Sequence, residues 1–197
     1  PSPPLSRRTL AKLGLLGALY FAQGLPYGFF ATVVPVELRE RGASLTAVGL
    51  SALLAAPWAL KWAWAPFLDR VWWRRLGRRR TWILAMQLAA MLVLGAAALG
   101  GSASVPVLLG ATFLLNLIAA TQDIATDGLG VELLDDHERG HANGLQVGAY
   151  RLGMVIGGGV LLLYSKPLGD RGMFAVMCAL VLLATVPVAI SGEPRFV

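Results

Sequence analysis

One cysteine, two histidines and a charged fraction of 14% are what this 197-residue chain has least of. A lone Cys178 leaves nothing to pair with, which excludes a disulfide scaffold. Charge this sparse beside 56% hydrophobic residues lies well outside the composition of soluble domains. Whole stretches carry none: 24 residues between Lys12 and Glu37, 19 between Arg41 and Lys61, and 21 between Arg171 and Glu193. Between Arg80 and Asp123 there are 42, room for two crossings with a break at 100–106. A bilayer crossing takes roughly 20 residues. Six spans are therefore predicted, at about 10–36, 45–68, 81–100, 105–134, 140–164 and 172–191, and the fold class is an all-α membrane protein.

With six spans, both termini lie on one side. That side holds Arg7, Arg8, Lys12, the six arginines from Arg70 to Arg80, Arg139 and Arg195, eleven in all. The opposite loops hold Arg39, Arg41, Lys166 and Arg171, which makes four. The positive-inside rule then puts both termini in the cytoplasm. The net charge of +6 is a topology signal, and it excludes nucleic acid as the expected partner. No cleavable signal peptide is expected, since the first apolar run is long enough to span and lacks a small-residue cleavage site.

The ionisable residues inside the spans carry the functional reading. Asp123 and Asp127 lie on the fourth run and Arg151 on the fifth. Both helices rise about 1.5 Å per residue, and Asp123 and Arg151 are each fourteen residues from His137 at the turn. They are predicted at one depth. A charge held in hydrocarbon is costly and marks a functional site by default. Asn116, Asp123 and Asp127 form one stripe at i, i+7, i+11, widened by Thr121, Gln122 and Thr126. Either Lys61 and Arg151 neutralise the two acids as static ion pairs, or one acid titrates as its partners separate, which is proton-relay chemistry. Lys61 sits eight residues before Asp69, at a depth where it meets Asp127, or else it snorkels to an interface belted by Trp58, Trp62 and Trp64.

In the first span, Gly24, Pro26 and Gly28 are expected to interrupt the helix, as breaks in membrane helices do beside cavities. Tyr20, Gln23 and Tyr27 share a face there, either bridging helices or lining that cavity. The Gly153/Gly157 pair of the fifth span reads as a close-packing face, and the sixth span as peripheral scaffold. His137-Glu138-x-x-His141 matches a zinc-protease signature, but it falls in a polar turn with Gly140 inside it and no third ligand in reach. No metal and no cofactor are expected.

The loop DRVWWRRLGRRR, an Asp-Arg followed by Gly-Arg-Arg between spans two and three, resembles the signature loop of the major facilitator superfamily. Ala65 stands where that family usually has Gly, and the spacer from Arg70 to Gly77 is longer. The runs YFAQGLPYG, LKWAWAPFLDR, GRRRTW, ATQDIATDG and ERGHANGLQVGAYRLGM are similar to the branch of AmpG-like muropeptide permeases and acetyl-coenzyme A transporters, with siderophore importers nearby. The resemblance implies a twelve-span fold of two six-span halves, each a 3+3 inverted repeat. On that footing, residues 1–9 are a cytoplasmic segment, 10–191 one half-transporter, and 192–197 the start of a linker to a second half. The chain starts without Met and stops where the linker begins, so a fragment is expected, with a six-span homodimer as the alternative. The resemblance further implies no enzyme but a proton-coupled permease of a bacterial inner membrane. Its partners are a bulky, polar, anionic solute, protons and lipid. Asp123, Asp127, Arg151, Lys61, Gln23, Tyr20, Tyr27, Gln122 and Asn116 are the expected proton and solute residues, and Asp69, Arg70, Gly77, Arg78 and Arg79 the cytoplasmic gating loop.

Overall fold

The computed structural model describes residues 6–100 and 104–190. Part of the 1–9 segment, residues 101–103 of the expected break, Ser191, and the linker residues 192–197 with Arg195 lie outside the described residues. Those that are described form six long helices and no strand. They are α1 (Arg7–Glu40), α2 (Leu45–Ala63), α3 (Arg78–Gly100), α4 (Val105–Leu133), α5 (Arg139–Leu163) and α6 (Ser165–Ile190), each long and apolar enough to cross a membrane. A short helix, Ala65–Arg70, follows α2. The boundaries fall close to those expected from the uncharged runs. With no water in a bilayer core to satisfy exposed amides, the helix is the conformation such runs must take.

Local chemistry sets the ends. Ser6 caps α1 by accepting from the Thr9 amide at 3.0 Å, and Ser44 caps α2 by accepting from the Ala47 amide at 3.1 Å. At the end of the bundle where α1 and α3 begin, the Arg80 guanidinium donates to the Val188 carbonyl at 3.1 Å and to that of Ala189. It thereby satisfies two of the last acceptors of α6, which have no partner within their own helix.

The most deeply packed helices are α1 and α4. Of the apolar window of α1, 61% is buried, against 11% for α2, which places α2 at the edge of the bundle. Leu25, Phe29 and Val33 of α1 pack with Leu94 of α3, Leu108 and Leu115 of α4, and Met173, Phe174 and Met177 of α6. The sixth span was expected to be peripheral, yet it supplies core; its uniform apolarity leaves it free to face protein on one side and lipid on the other.

The first span is not broken at Pro26. The α-helix runs from Arg7 through Pro26 to Gly28, and the irregularity comes just after it, as a wider π-helical stretch at Phe29–Val33. Gly24 and Gly28 serve a different purpose from the one expected. A Cβ on Gly24 would run into the Tyr150 carbonyl, one on Gly28 into that of Met154, one on Gly153 into that of Phe21, and one on Gly157 into that of Leu25. Two glycine pairs, each spaced i, i+4, thus let the α1 and α5 backbones touch, the small-xxx-small mode of close approach. A second π-helical stretch, Val155–Val160, lies on α5 beside the first, with Gly158 against the Gly28 carbonyl and the Thr32 hydroxyl.

This crossing has no room for a side chain. Gly153→Val and Gly157→Val are expected to lower the thermal midpoint of the detergent-purified protein, with an overpacking cost of about 1–3 kcal/mol each. Gly148→Val, where open space surrounds the glycine, should leave the midpoint nearly unchanged. Equal midpoints for all three variants would refute the contact.

Candidate functional site

The site is built on the polar stripe of α4 and on the residues that α1, α2 and α5 turn towards it. Along α2 the helix tightens into 3-10 turns at Ser51–Ala55 and again at Lys61–Ala63. Side chains three apart eclipse in such turns, which aligns Lys61 with Trp64, and Trp58, three residues earlier on the intervening α-helical turn, completes a row facing α4. Trp58 Nε1 donates to Asn116 Oδ1 at 2.9 Å, the Lys61 ammonium to Asp123 Oδ2, and Trp64 Nε1 to Thr121 Oγ1 at 3.2 Å. Of the two readings of Lys61, the meeting with Asp127 is the one the structure shows, as an ion pair at 4.0 Å, and Asp123 is a second, closer partner that depth counting did not single out. Of the three tryptophans only Trp62 is well exposed, at 71%. Trp58 and Trp64 are hydrogen-bond donors, a role that an aromatic-belt reading does not contain.

From α1, the Tyr20 hydroxyl donates to Asp127 Oδ1 at 2.9 Å. Gln23, three residues on, is 1% exposed and donates to Thr126 Oγ1 at 2.9 Å.

A cavity of about 600 Å³ opens between α1, α2, α4 and α5, within the range of small-molecule sites. Asp123, Arg151, Tyr20, Tyr27, Trp58 and Tyr150 all line it. The rings of Tyr27, Trp58 and Tyr150 form a triangle, with centroids 5.9, 5.9 and 6.5 Å apart. Asp123 and Arg151 share this cavity but do not pair: Lys61 holds the acid, and no carboxylate among the described residues lies within 4 Å of the Arg151 guanidinium. The site therefore presents an ion pair, a single cation and an aromatic wall, a combination able to bind an anionic solute with ring or apolar surface. Tyr150 was missed by the sequence reading, although its position next to Arg151 was available as a signal.

Two expected members stand elsewhere. Gln23 and Gln122 line a separate enclosed pocket of about 20 Å³ towards α3 and α6, with Gln23 Oε1 and Gln122 Nε2 buried there. Successive residues on a helix are about 100° apart, so Gln122 beside Asp123 turns away from the cavity. Asn116 contributes through Trp58 rather than at the cavity wall.

At the end of the bundle where α3 begins, Arg79 Nη1 lies 2.7 Å from Asp69 and its Nε 3.0 Å from Glu132. Arg78 lies 2.5 Å from the same glutamate and 3.8 Å from Asp69. Gly77 turns the chain with φ +92°, and Gly128 leaves the space over α4 that the Arg79 guanidinium fills. Arg70 makes no ion pair among the described residues. Glu132, which ties the loop to α4, was not anticipated from the sequence.

The turn between α4 and α5 is also tied down. Glu138, 3% exposed, accepts from Lys12 Nζ at 2.8 Å and from the Asp135 amide at 3.0 Å. These bonds, with one from the Thr9 hydroxyl, hold its carboxyl at about 2, Lys12 contributing most. The His137 and His141 pair does not share a helical face, because α5 starts only at Arg139. Among the described residues no cluster of three ligating side chains suits a metal.

A family model described as acetyl-coenzyme A transporter 1 matches residues 12–167. The anhydromuropeptide permease of Escherichia coli K12 is 30% identical over 184 residues, covering 91% of this chain and 37% of the permease. An uncharacterized protein of Haemophilus influenzae is 35% identical over 143 residues, 72% of this chain and 34% of the relative. An uncharacterized membrane protein of Saccharomyces cerevisiae is 30% identical over 178 residues, 77% of this chain and 31% of its own length. The chain spans about a third of the length of these relatives.

The Glu138 cluster predicts a specific pH response. The folded-state value of about 2 lies below the ordinary 4.5, so its stabilisation is complete above 4.5 and disappears as pH falls from 4.5 towards 2. Thermal midpoints of wild type and Glu138→Gln should differ at neutral pH and converge across that acid window. Parallel curves would show that the Lys12 contact contributes nothing.

Proposed function

The chain belongs to the acetyl-coenzyme A transporter 1 family, and from that premise we propose that it forms the solute-binding wall of a secondary active, proton-coupled transporter. On this reading its six spans are one half of a major facilitator superfamily bundle. The cavity faces a second six-span half, supplied by the same polypeptide or by a dimer mate. The excess of Lys and Arg on one side sets both termini in the cytoplasm of a bacterial inner membrane.

The observation that carries the proposal is a pair of groups lining one cavity in the apolar bundle: Asp123, which Lys61 neutralises from outside the lining, and Arg151 with no carboxylate partner among the described residues. Unmatched charge in hydrocarbon costs about 2.5–3.5 kcal/mol or more, so its retention calls for a compensating ligand. A phosphate or carboxylate of the solute supplies that compensation at Arg151, where a guanidinium can bind it bidentately. The aromatic triangle beside it accepts the apolar faces of the same solute. An anhydromuropeptide is the first candidate, by likeness to the Escherichia coli permease over most of this chain. Acetyl-coenzyme A is the alternative, favoured by the description of the matching family. Both carry anionic groups, and the site chemistry suits either.

Proteoliposomes holding the complete gene product are expected to accumulate one of these two labelled solutes under an imposed proton gradient, with an uncoupler abolishing the accumulation. Arg151→Gln should weaken apparent affinity about tenfold to a hundredfold, the loss of a charge-assisted hydrogen bond worth about 1.5–3 kcal/mol. Asp123→Asn, which leaves the Lys61 ammonium only the 4.0 Å contact with Asp127, should cut uptake further. Failure to transport either solute, or unchanged uptake in both variants, would defeat the proposal.

A further inference from the structure

The two acids of α4 sit in different surroundings. Asp123 has a side chain 12% exposed and in close contact with Lys61, whereas Asp127, one turn on, is 46% exposed and held by the Tyr20 hydroxyl. They also face different spaces. Asp123 lines the 600 Å³ cavity, while Asp127 lines a second one of about 340 Å³ with Arg139 and Asn143, beside the α4–α5 turn. Tyr20 and Gln146 border both cavities and so stand between them.

We propose that Asp127, positioned by Tyr20, is the proton-carrying carboxylate, and that it exchanges its proton with water in this second cavity while the Asp123–Lys61 pair stays charged. This rests on the transporter reading above and deepens it. Charge accounting separates the two acids. Protonating Asp123 would remove the closer partner of the Lys61 ammonium and leave it only the 4.0 Å contact with Asp127, which is unfavourable for a partly buried pair. Protonating Asp127 strands no cation and removes a like charge one turn from Asp123. In the step itself an O–H bond forms on an Asp127 oxygen as one breaks on hydronium, leaving water, and release runs in reverse.

The charged and titratable groups around Asp127 agree with this division. Tyr20 of α1 donates to it, Lys61 of α2 is 4.0 Å away, and Asp123 is its neighbour on α4. From α5, Arg139 lines the same cavity and pairs with Asp136 at 3.0 Å. From α3, Arg79 lies over the adjacent Gly128 but is engaged by Asp69 and Glu132. Tyr20 is then a positioning residue, and Asp127 the group that binds the proton.

The test needs no solute. Infrared difference spectra of the complete gene product in lipid vesicles, recorded between alkaline and acidic pH, should show a protonated-carboxyl stretching band that appears on acidification. The band should vanish in Asp127→Asn, return at a shifted frequency in Asp127→Glu, and titrate at a different pH in Tyr20→Phe. A band that survives in Asp127→Asn, or no titrating band in the wild type, would overturn the assignment. Counterflow of labelled anhydromuropeptide and acetyl-coenzyme A through the wild-type protein is measured in parallel. Absence of counterflow with the infrared pattern intact would refute the transport reading and leave the proton site standing.

Discussion

The ion pair between Lys61 and Asp123 is the contact on which the geometry of the cavity depends. It joins α2, the least buried helix, to α4, one of the most buried. No broad apolar interface holds α2 in place: its exposed face carries Leu45, Leu50, Leu53, Leu60 and Trp62. In lipid there is also little hydrophobic gain from pressing one apolar helix on another. A row of polar contacts does it instead, with the two indole donors on either side of the ammonium fixing the register. The same row brings Trp58 to the cavity wall, so holding α2 and shaping the site are one operation.

On the other side of the cavity the constraint is steric. Four glycines remove the side chains from the α1–α5 crossing, and backbone meets backbone there. On α1 a π-helical stretch begins just after Gly28, and on α5 one begins within the crossing and contains Gly157. Such stretches insert an extra residue per turn and shift the facing of all that follows. Tyr20 and Tyr27 on α1, and Gln146, Tyr150 and Arg151 on α5, all precede their stretch. The polar wall and the apolar end of each helix are thereby set on independent facings.

Much of this was legible in the residues. Six spans followed from the uncharged runs because a bilayer tolerates few alternatives. The packing role of Gly153 and Gly157 followed from their spacing, and Asp123 and Arg151, singled out together by their distance from the turn, line one cavity. The contacts were less legible, and for identifiable reasons. Lys61 was matched to Asp127 by counting residues at the ideal α-helical rise, and it does reach that acid at 4.0 Å, but α2 tightens to 3-10 geometry at that point and its closer contact is to Asp123. Gln122 was grouped with Asp123 as its neighbour in sequence, and Gln23 with Tyr20 and Tyr27 by i, i+3, i+7 spacing; one step along α4, and three along α1, are enough to point them into another space. Glu132 and Lys12 lie at helix ends, where partners come from distant loops that periodicity does not see.

Two carboxylates one turn apart on a membrane helix repel each other, and a bundle that keeps both must treat them differently. Here the difference is already present in the ground arrangement. One acid is neutralised by a neighbouring helix, which makes it part of the architecture. The other has a phenol, a cavity and only the outer edge of the Lys61 contact at 4.0 Å, a setting in which gaining a proton leaves the ammonium its closer partner. Arg151 mirrors this on α5, as a cation that no carboxylate of the described bundle reaches. A wall with one matched pair, one adjustable acid and one open cation has charge to spare for a solute and a proton, and it can accept both without dismantling the contact that holds α2 to α4.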